Sequence, residues 1–115
     1  MFGVSSDAGY KEIIPGISIK SLNYGTNSIM VEFKLTKGAI LPEHNHVPEQ
    51  TGYLVKGSIR LFIDGKPKDL KPGDSWSIES NVRHRAEILE DSIAIEVFSP
   101  RRDDYLQYVR KEDVL

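Results

Sequence analysis

The chain contains no cysteine. Without a thiol there is no disulfide framework, no thiolate zinc site, no iron–sulfur cluster and no cysteine nucleophile, so any metal must be held by imidazole, carboxylate or amide. Positive charge is also short: 15 Lys and Arg against 17 Asp and Glu give a net charge of -2. No cationic field is available to grip a phosphate backbone, and nucleic acid is not an expected partner. No apolar run approaches the roughly 20 residues of a membrane-spanning helix. The opening MFGVSSDAGYKEIIPG lacks a basic stretch followed by an apolar one, so a cytoplasmic protein without a membrane partner is expected. Histidine is scarce as well, with three in the chain, His44, His46 and His84. What is present is ordinary for a folded domain. The chain has 115 residues, 39% hydrophobic and 28% charged, which suits one domain spanning residues 1–115 with one core.

Helical periodicity is almost absent before residue 99. Short alternating or apolar runs recur at intervals of roughly 8 to 12 residues between turn signals, the pattern of an all-β domain. From Ser28 to Leu35 the alternation is clean, with Ile29, Val31, Phe33 and Leu35 on one face and Met30, Glu32 and Lys34 on the other. Further strands are predicted over 10–14, 17–22, a short run ending at His44 and His46, 50–55, 58–63, about Trp76 to Ile78, 83–89 and 93–98. Lys56-Gly57, Asp64-Gly65 and Pro72-Gly73-Asp74 supply the turns, for about nine or ten strands in all. So many antiparallel strands must hide their edges in a sandwich, a closed barrel or a jelly roll. After Pro100 the charge-rich tail predicts a short helical or irregular segment, with Ser99 as a candidate N-cap.

His44 and His46 are two apart on a predicted strand, so the pleat points both rings to the same face, a geometry suited to chelation. After Val47-Pro48-Glu49 the chain re-enters a strand at Gln50, whose side chain can turn back into the same cavity; Glu49, one residue away, would point the opposite way. His84 shares a face with Ala86 and Ile88, the apolar and therefore inward one, while Arg83, Arg85 and Glu87 take the outer face. These positions resemble the first cupin motif: Gly38, then His44, His46, Gln50 and Gly57 fall at matching intervals, with an amide where the motif has a glutamate. The second motif is matched more loosely, through Gly73 and His84. The resemblance covers about residues 25–98 and implies a jelly-roll β-barrel holding one divalent transition metal (Ni, Zn, Fe or Mn), bound by His44, His46, Gln50 and His84. A three-His, one-Gln set around a divalent cation carries a charge of about +2, against about +1 for three His and a Glu. That charge leans toward polarising a bound oxygen and away from activating dioxygen.

Glu96 interrupts the apolar strand Ile93 to Phe98. A carboxylate there either faces solvent, if Ile93, Ile95 and Val97 are core, or enters the cavity beside Ala94 and Phe98. The string Glu96-Val97-Phe98-Ser99-Pro100-Arg101-Arg102-Asp103-Asp104-Tyr105-Leu106 resembles the ending of the small pectin-degradation cupins, which also carry the His-x-His and Glu-Gln seen here. That resemblance implies a redox-neutral, metal-dependent enzyme converting 4,5-unsaturated uronates to linear keto sugars. In it Glu96 stands for a catalytic aspartate and shuttles the proton, Arg102 holds the substrate carboxylate, and Phe98 lines the pocket. Gly52 lies on the face of Gln50 and would leave room for a ligand on the cavity floor, and Trp76 is a candidate for the cavity wall. Two other functions remain open, a cupin-type dioxygenase and a small-ligand-binding module without catalysis. By analogy with the same fold, the apolar segment Ile13, Ile14, Ile17 and Ile19 within strands 10–22 is expected to pair with a second subunit in a homodimer.

Overall fold

The computed structural model describes residues 1–115. Its strands are β1 (Lys11–Ile14), β2 (Ile17–Tyr24), β3 (Ile29–Leu35), β4 (Ile40–His44), β5 (Glu49–Ile63), β6 (Lys66–Leu70), β7 (Ser75–Ile78) and β8 (His84–Ser99). They form an antiparallel system in the order β1-β2-β3-β8-β5-β6, with β4 added to β8 and β7 to β5. The two long strands each serve two sheets. The second half of β8 pairs β3 and its first half pairs β4; the first half of β5 pairs β7 and its second half pairs β6. Two layers, β1-β2-β3-β8-β5-β7 and β4-β8-β5-β6, are therefore continuous through β5 and β8, and close around a shared interior. This is the jelly-roll architecture that the motif resemblance implied, and one of the three that the alternating pattern left open.

The strand count is eight: two pairs of expected strands are each one bent strand, and β6, Lys66–Leu70, is not among the strands expected from the sequence. Lys56-Gly57 does not separate 50–55 from 58–63, and 83–89 runs on into 93–98. At Gly57 the backbone has φ of 96°, and a Cβ there would stand 2.1 Å from Ser92 Oγ and 2.4 Å from the Asp91 carbonyl. The β5–β8 register slips at this point, and the Ser58 N–H donates to Ser92 Oγ at 3.0 Å. A left-handed glycine with an extra residue bends a ladder without ending it, which is how each long strand passes from one layer to the other.

Inward positions follow the predicted alternation. One apolar cluster joins Leu54, Ile59, Leu61, Leu70, Ala86, Ile88 and Ala94; another joins Ile19, Ile29, Val31 and Phe98. Ile17 and Ile19 are 2% and 0% exposed and fill the protein's own interior, whereas Ile13, in the same segment expected to pair with a second subunit, is 37% exposed. The burial of β2 on its inner face is what the pleat demands of alternating isoleucines. Its outer face is covered in turn by the two chain ends, which exchange Phe2 and Leu115 backbone hydrogen bonds. There Lys20 is buried against the Ser6 carbonyl and hydroxyl and the Asp113 carboxylate, 2.7 Å away.

The tail is the short helical segment expected, but it starts elsewhere. Ser99 is the last residue of β8 rather than an N-cap, and the segment beyond forms two 3-10 turns, Asp103–Tyr108 and Lys111–Asp113, the first entered at Arg102 without a side-chain cap. No helix is long and apolar enough to cross a membrane.

Candidate metal centre

The three histidines meet at one end of the β4–β8 ladder. His44 closes β4 and is the register partner of His84, which opens β8; His46 lies two residues beyond, where the ladder has already ended ahead of Pro48. Ring centroids are 4.1 Å apart for His44 and His84, 5.0 Å for His46 and His84, and 5.6 Å for His44 and His46. Every Nδ1 contacts a backbone carbonyl two residues away: Pro42 at 2.8 Å, Pro48 at 2.7 Å and Val82 at 2.9 Å. A carbonyl only accepts, so each Nδ1 is the protonated nitrogen and each Nε2 is left with its lone pair. The Nε2 atoms of His46 and His84 are enclosed without any hydrogen-bond partner. Burial pushes the His46 pKa down and takes that of His84 down to about 4, so both rings are neutral at neutral pH, the form that binds metal.

One ligand atom from each histidine falls within 4.8 Å of the other two. Mutually convergent imidazole nitrogens, those of His46 and His84 orphaned and neutral, with their far nitrogens fixed by carbonyls, fit a divalent transition metal, and Zn, Fe or Ni suits such donors. Gln50 could complete the set. It is 5% exposed and lines the same cavity, whereas Glu49 is exposed and points away. The Gln50 Nε2 donates to Glu96 Oε1 at 2.6 Å, which spends the amide's donor end on the carboxylate and leaves its carbonyl oxygen as the atom available to a cation.

The alternative left open for Glu96 is closed by β8. Ala94, Glu96 and Phe98 face the cavity, while Ile93, Ile95 and Val97 take the half-buried outer face. Trp76 Nε1 also donates to Glu96 Oε1, at 2.7 Å. Burial raises the Glu96 pKa, opposed by the hydrogen bonds from Trp76 and Gln50 and by the Arg102 charge. Arg102 borders the same cavity of about 90 Å³. Its Nη2 is 2.8 Å and its Nε 3.3 Å from Asp104, and its guanidinium lies 3.9 Å from the Tyr105 ring centroid and 5.2 Å from that of Phe98. Phe98 meets His46 and Tyr105 edge-on.

All the residues expected at the site except Gly52 border this cavity. The space above Gly52 is not ligand room: a Cβ there would lie 2.1 Å from Trp76 Cε2, so the indole occupies it. Tyr105 was not singled out from sequence, although it lies within the string from Glu96 to Leu106. The indole contact with Glu96 depends on the β5–β7 register and has no local signature.

Residues 31–99 match the family model described as cupin domain. The chain belongs to the cupin family. This cupin is 32% identical over 105 residues to the pectin degradation protein KdgF of Dickeya dadantii, covering 90% of the chain and 96% of the relative. The solved structure of KdgF from a Halomonas species superposes with a TM-score of 0.86 at 33% identity, covering 90% of this cupin and 96% of that chain. An acireductone dioxygenase of Bacillus cytotoxicus is 31% identical over 104 residues, 83% of this cupin and 55% of the enzyme.

Proposed function

We propose that this cupin is a redox-neutral, metal-dependent enzyme that converts 4,5-unsaturated uronates to linear keto sugars. The observation that carries the reading is Glu96: a carboxylate beside Gln50 and the imidazole cluster, bordering one cavity with the Arg102 guanidinium. Likeness to a pectin degradation protein supplies the substrate class. A cation held by His44, His46, His84 and Gln50 would act as a Lewis acid on a substrate oxygen.

The chain's own groups then divide the work. Asp104 occupies the Nε and Nη2 side of Arg102, leaving the Nη1–Nη2 edge to take the uronate carboxylate in a charge-assisted pair. Phe98 supplies an apolar wall and keeps water from the reacting carbons. The conversion is an isomerisation: the anomeric hydroxyl gives up a proton, the ring C1–O bond opens to an aldehyde and an enol, and C4 gains a proton as C5 becomes a ketone. Glu96 is the group that moves this proton, a role worth typically about 10² to 10⁴ in rate. Its raised pKa suits a carboxyl that must both take and return it.

The test is to add unsaturated uronate to metal-loaded protein and follow loss of the conjugated double bond, with and without oxygen. Loss in both conditions, abolished in Glu96→Gln, is expected; no loss refutes the reading. The similarity to acireductone dioxygenase favours a second one, oxygen-dependent cleavage of a small substrate, for which oxygen uptake is the readout. The neutral Gln50 amide in place of a carboxylate disfavours it, since a more positive site resists oxidation of its metal.

A further inference from the structure

Gly52 is the register partner of both Trp76 on β7 and Glu96 on β8. A Cβ on Gly52 would fall 2.1 Å from Cε2, 2.3 Å from Nε1 and 2.4 Å from Cζ2 of Trp76. The indole therefore lies directly on the glycine backbone, a seat that any side chain at 52 would remove, and from it Nε1 reaches Glu96 Oε1. Gln50 Nε2 donates to that same oxygen from the other neighbour on β5. Oε2 takes no hydrogen bond, and it is absent from the enclosed unpartnered atoms, so it is the oxygen open to the cavity. Glutamate has one more rotatable bond than aspartate and loses more freedom when ordered; two N–H donors on one oxygen supply the restraint that a shorter side chain needs less.

We propose that Trp76, seated on Gly52, is a positioning residue that pins Oε1 of Glu96 and so presents Oε2 to the substrate. The inference rests on the proton-transfer role proposed for Glu96. It explains together why the strand carries glycine at 52, why the chain's single tryptophan borders the cavity, and how a glutamate serves at this position.

The experiment uses the full chain loaded with Ni or Zn, in four forms: wild type, Trp76→Phe, Gly52→Ala and the double variant, each checked for metal content. Trp76→Phe is expected to lower kcat on unsaturated uronate about 10- to 100-fold, the loss of one hydrogen bond to a charged group, with KM nearly unchanged. Gly52→Ala should lower kcat likewise although it removes no polar group. The double variant should be no worse than Trp76→Phe, because the hydrogen bond that the new methyl disturbs is already absent there. Unchanged kcat in Trp76→Phe, or losses that multiply in the double variant, overturns the proposal. If wild type leaves the uronate untouched, the functional reading fails, and positioning is still decided by emission of the sole tryptophan in metal-free protein. Glu96→Ala and Gly52→Ala should each shift its maximum; an emission indifferent to both overturns the contact.

Discussion

Acidifying the metal-free protein should weaken it through His84. The ring has an ordinary pKa of 6.5 in the unfolded chain and about 4 when folded, chiefly because burial disfavours its charged form. Above pH 6.5 both states hold a neutral ring and the stability is fully present. As pH falls from 6.5 toward 4 the unfolded chain takes up a proton that the folded one refuses, and stability is lost. At ~1.36 kcal/mol per unit of displacement, most of it felt by pH 5, the loss between pH 7 and 5 is about 2 kcal/mol. His46 is lowered by the same cause and adds to it; Glu96, raised by burial, acts in the opposite sense. Comparing wild type with His84→Gln isolates the ring from these neighbours. In urea titrations of chelator-treated protein, the gap between the two midpoints should change by about 1 M from pH 7 to pH 5, given slopes of ~1–3 kcal/mol/M. A gap that stays constant across this range would refute the assignment of His84 as a buried neutral imidazole.

Divalent metal at about a thousandfold excess over its Kd should stabilise the protein by about 4 kcal/mol, removed by chelation; His46→Ala should abolish stoichiometric binding, and retention of metal content would sink the ligand assignment. Gly57→Ala must place a methyl against Ser92 and the Asp91 carbonyl in a left-handed backbone, and a loss of about 2 kcal/mol or more is expected in chemical denaturation. Asp113, held down to about 2 by its hydrogen bond from Lys20, contributes stability that is present above 3.8 and lost as pH falls toward 2. Asp113→Asn should remove that acid dependence, measured as thermal midpoint against pH.

Most β-strands and the inward faces were legible because their signals are local; β6, whose Lys-Pro-Lys-Asp run is exposed and carries no apolar alternation, was not. Ile29, Val31, Phe33 and Leu35 alternate, and His84 shares parity with Ala86 and Ile88. Parity also separated Gln50 from Glu49. What parity could not do is say which face of β8 looks inward. For Glu96 that depends on where β3 and β5 sit, and the answer came only with the packed layers. Lys56-Gly57 misled for a related reason, since a glycine with positive φ serves a turn or a bulge equally. Gly52 was read as empty space because its occupant, Trp76, is distant in sequence and arrives through strand pairing.

Gln50 and His84 stand at opposite ends of one two-strand ladder: Gln50 pairs with Phe98 near the start of β5, which ends at Ile63, the partner of His84. Only the bend at Gly57 and Ser92 brings these ends to the same cavity. The metal centre is therefore not a local motif that can form on a fragment, but a reporter of ring closure, assembled from contacts distant in sequence such as Gln50 with Glu96 and His44 with His84. Such contacts form late and make folding slow for a domain of this size. A bound cation should accordingly leave in the same kinetic step in which the ladder unbends, so that metal release times global unfolding and no partly folded state retains the site.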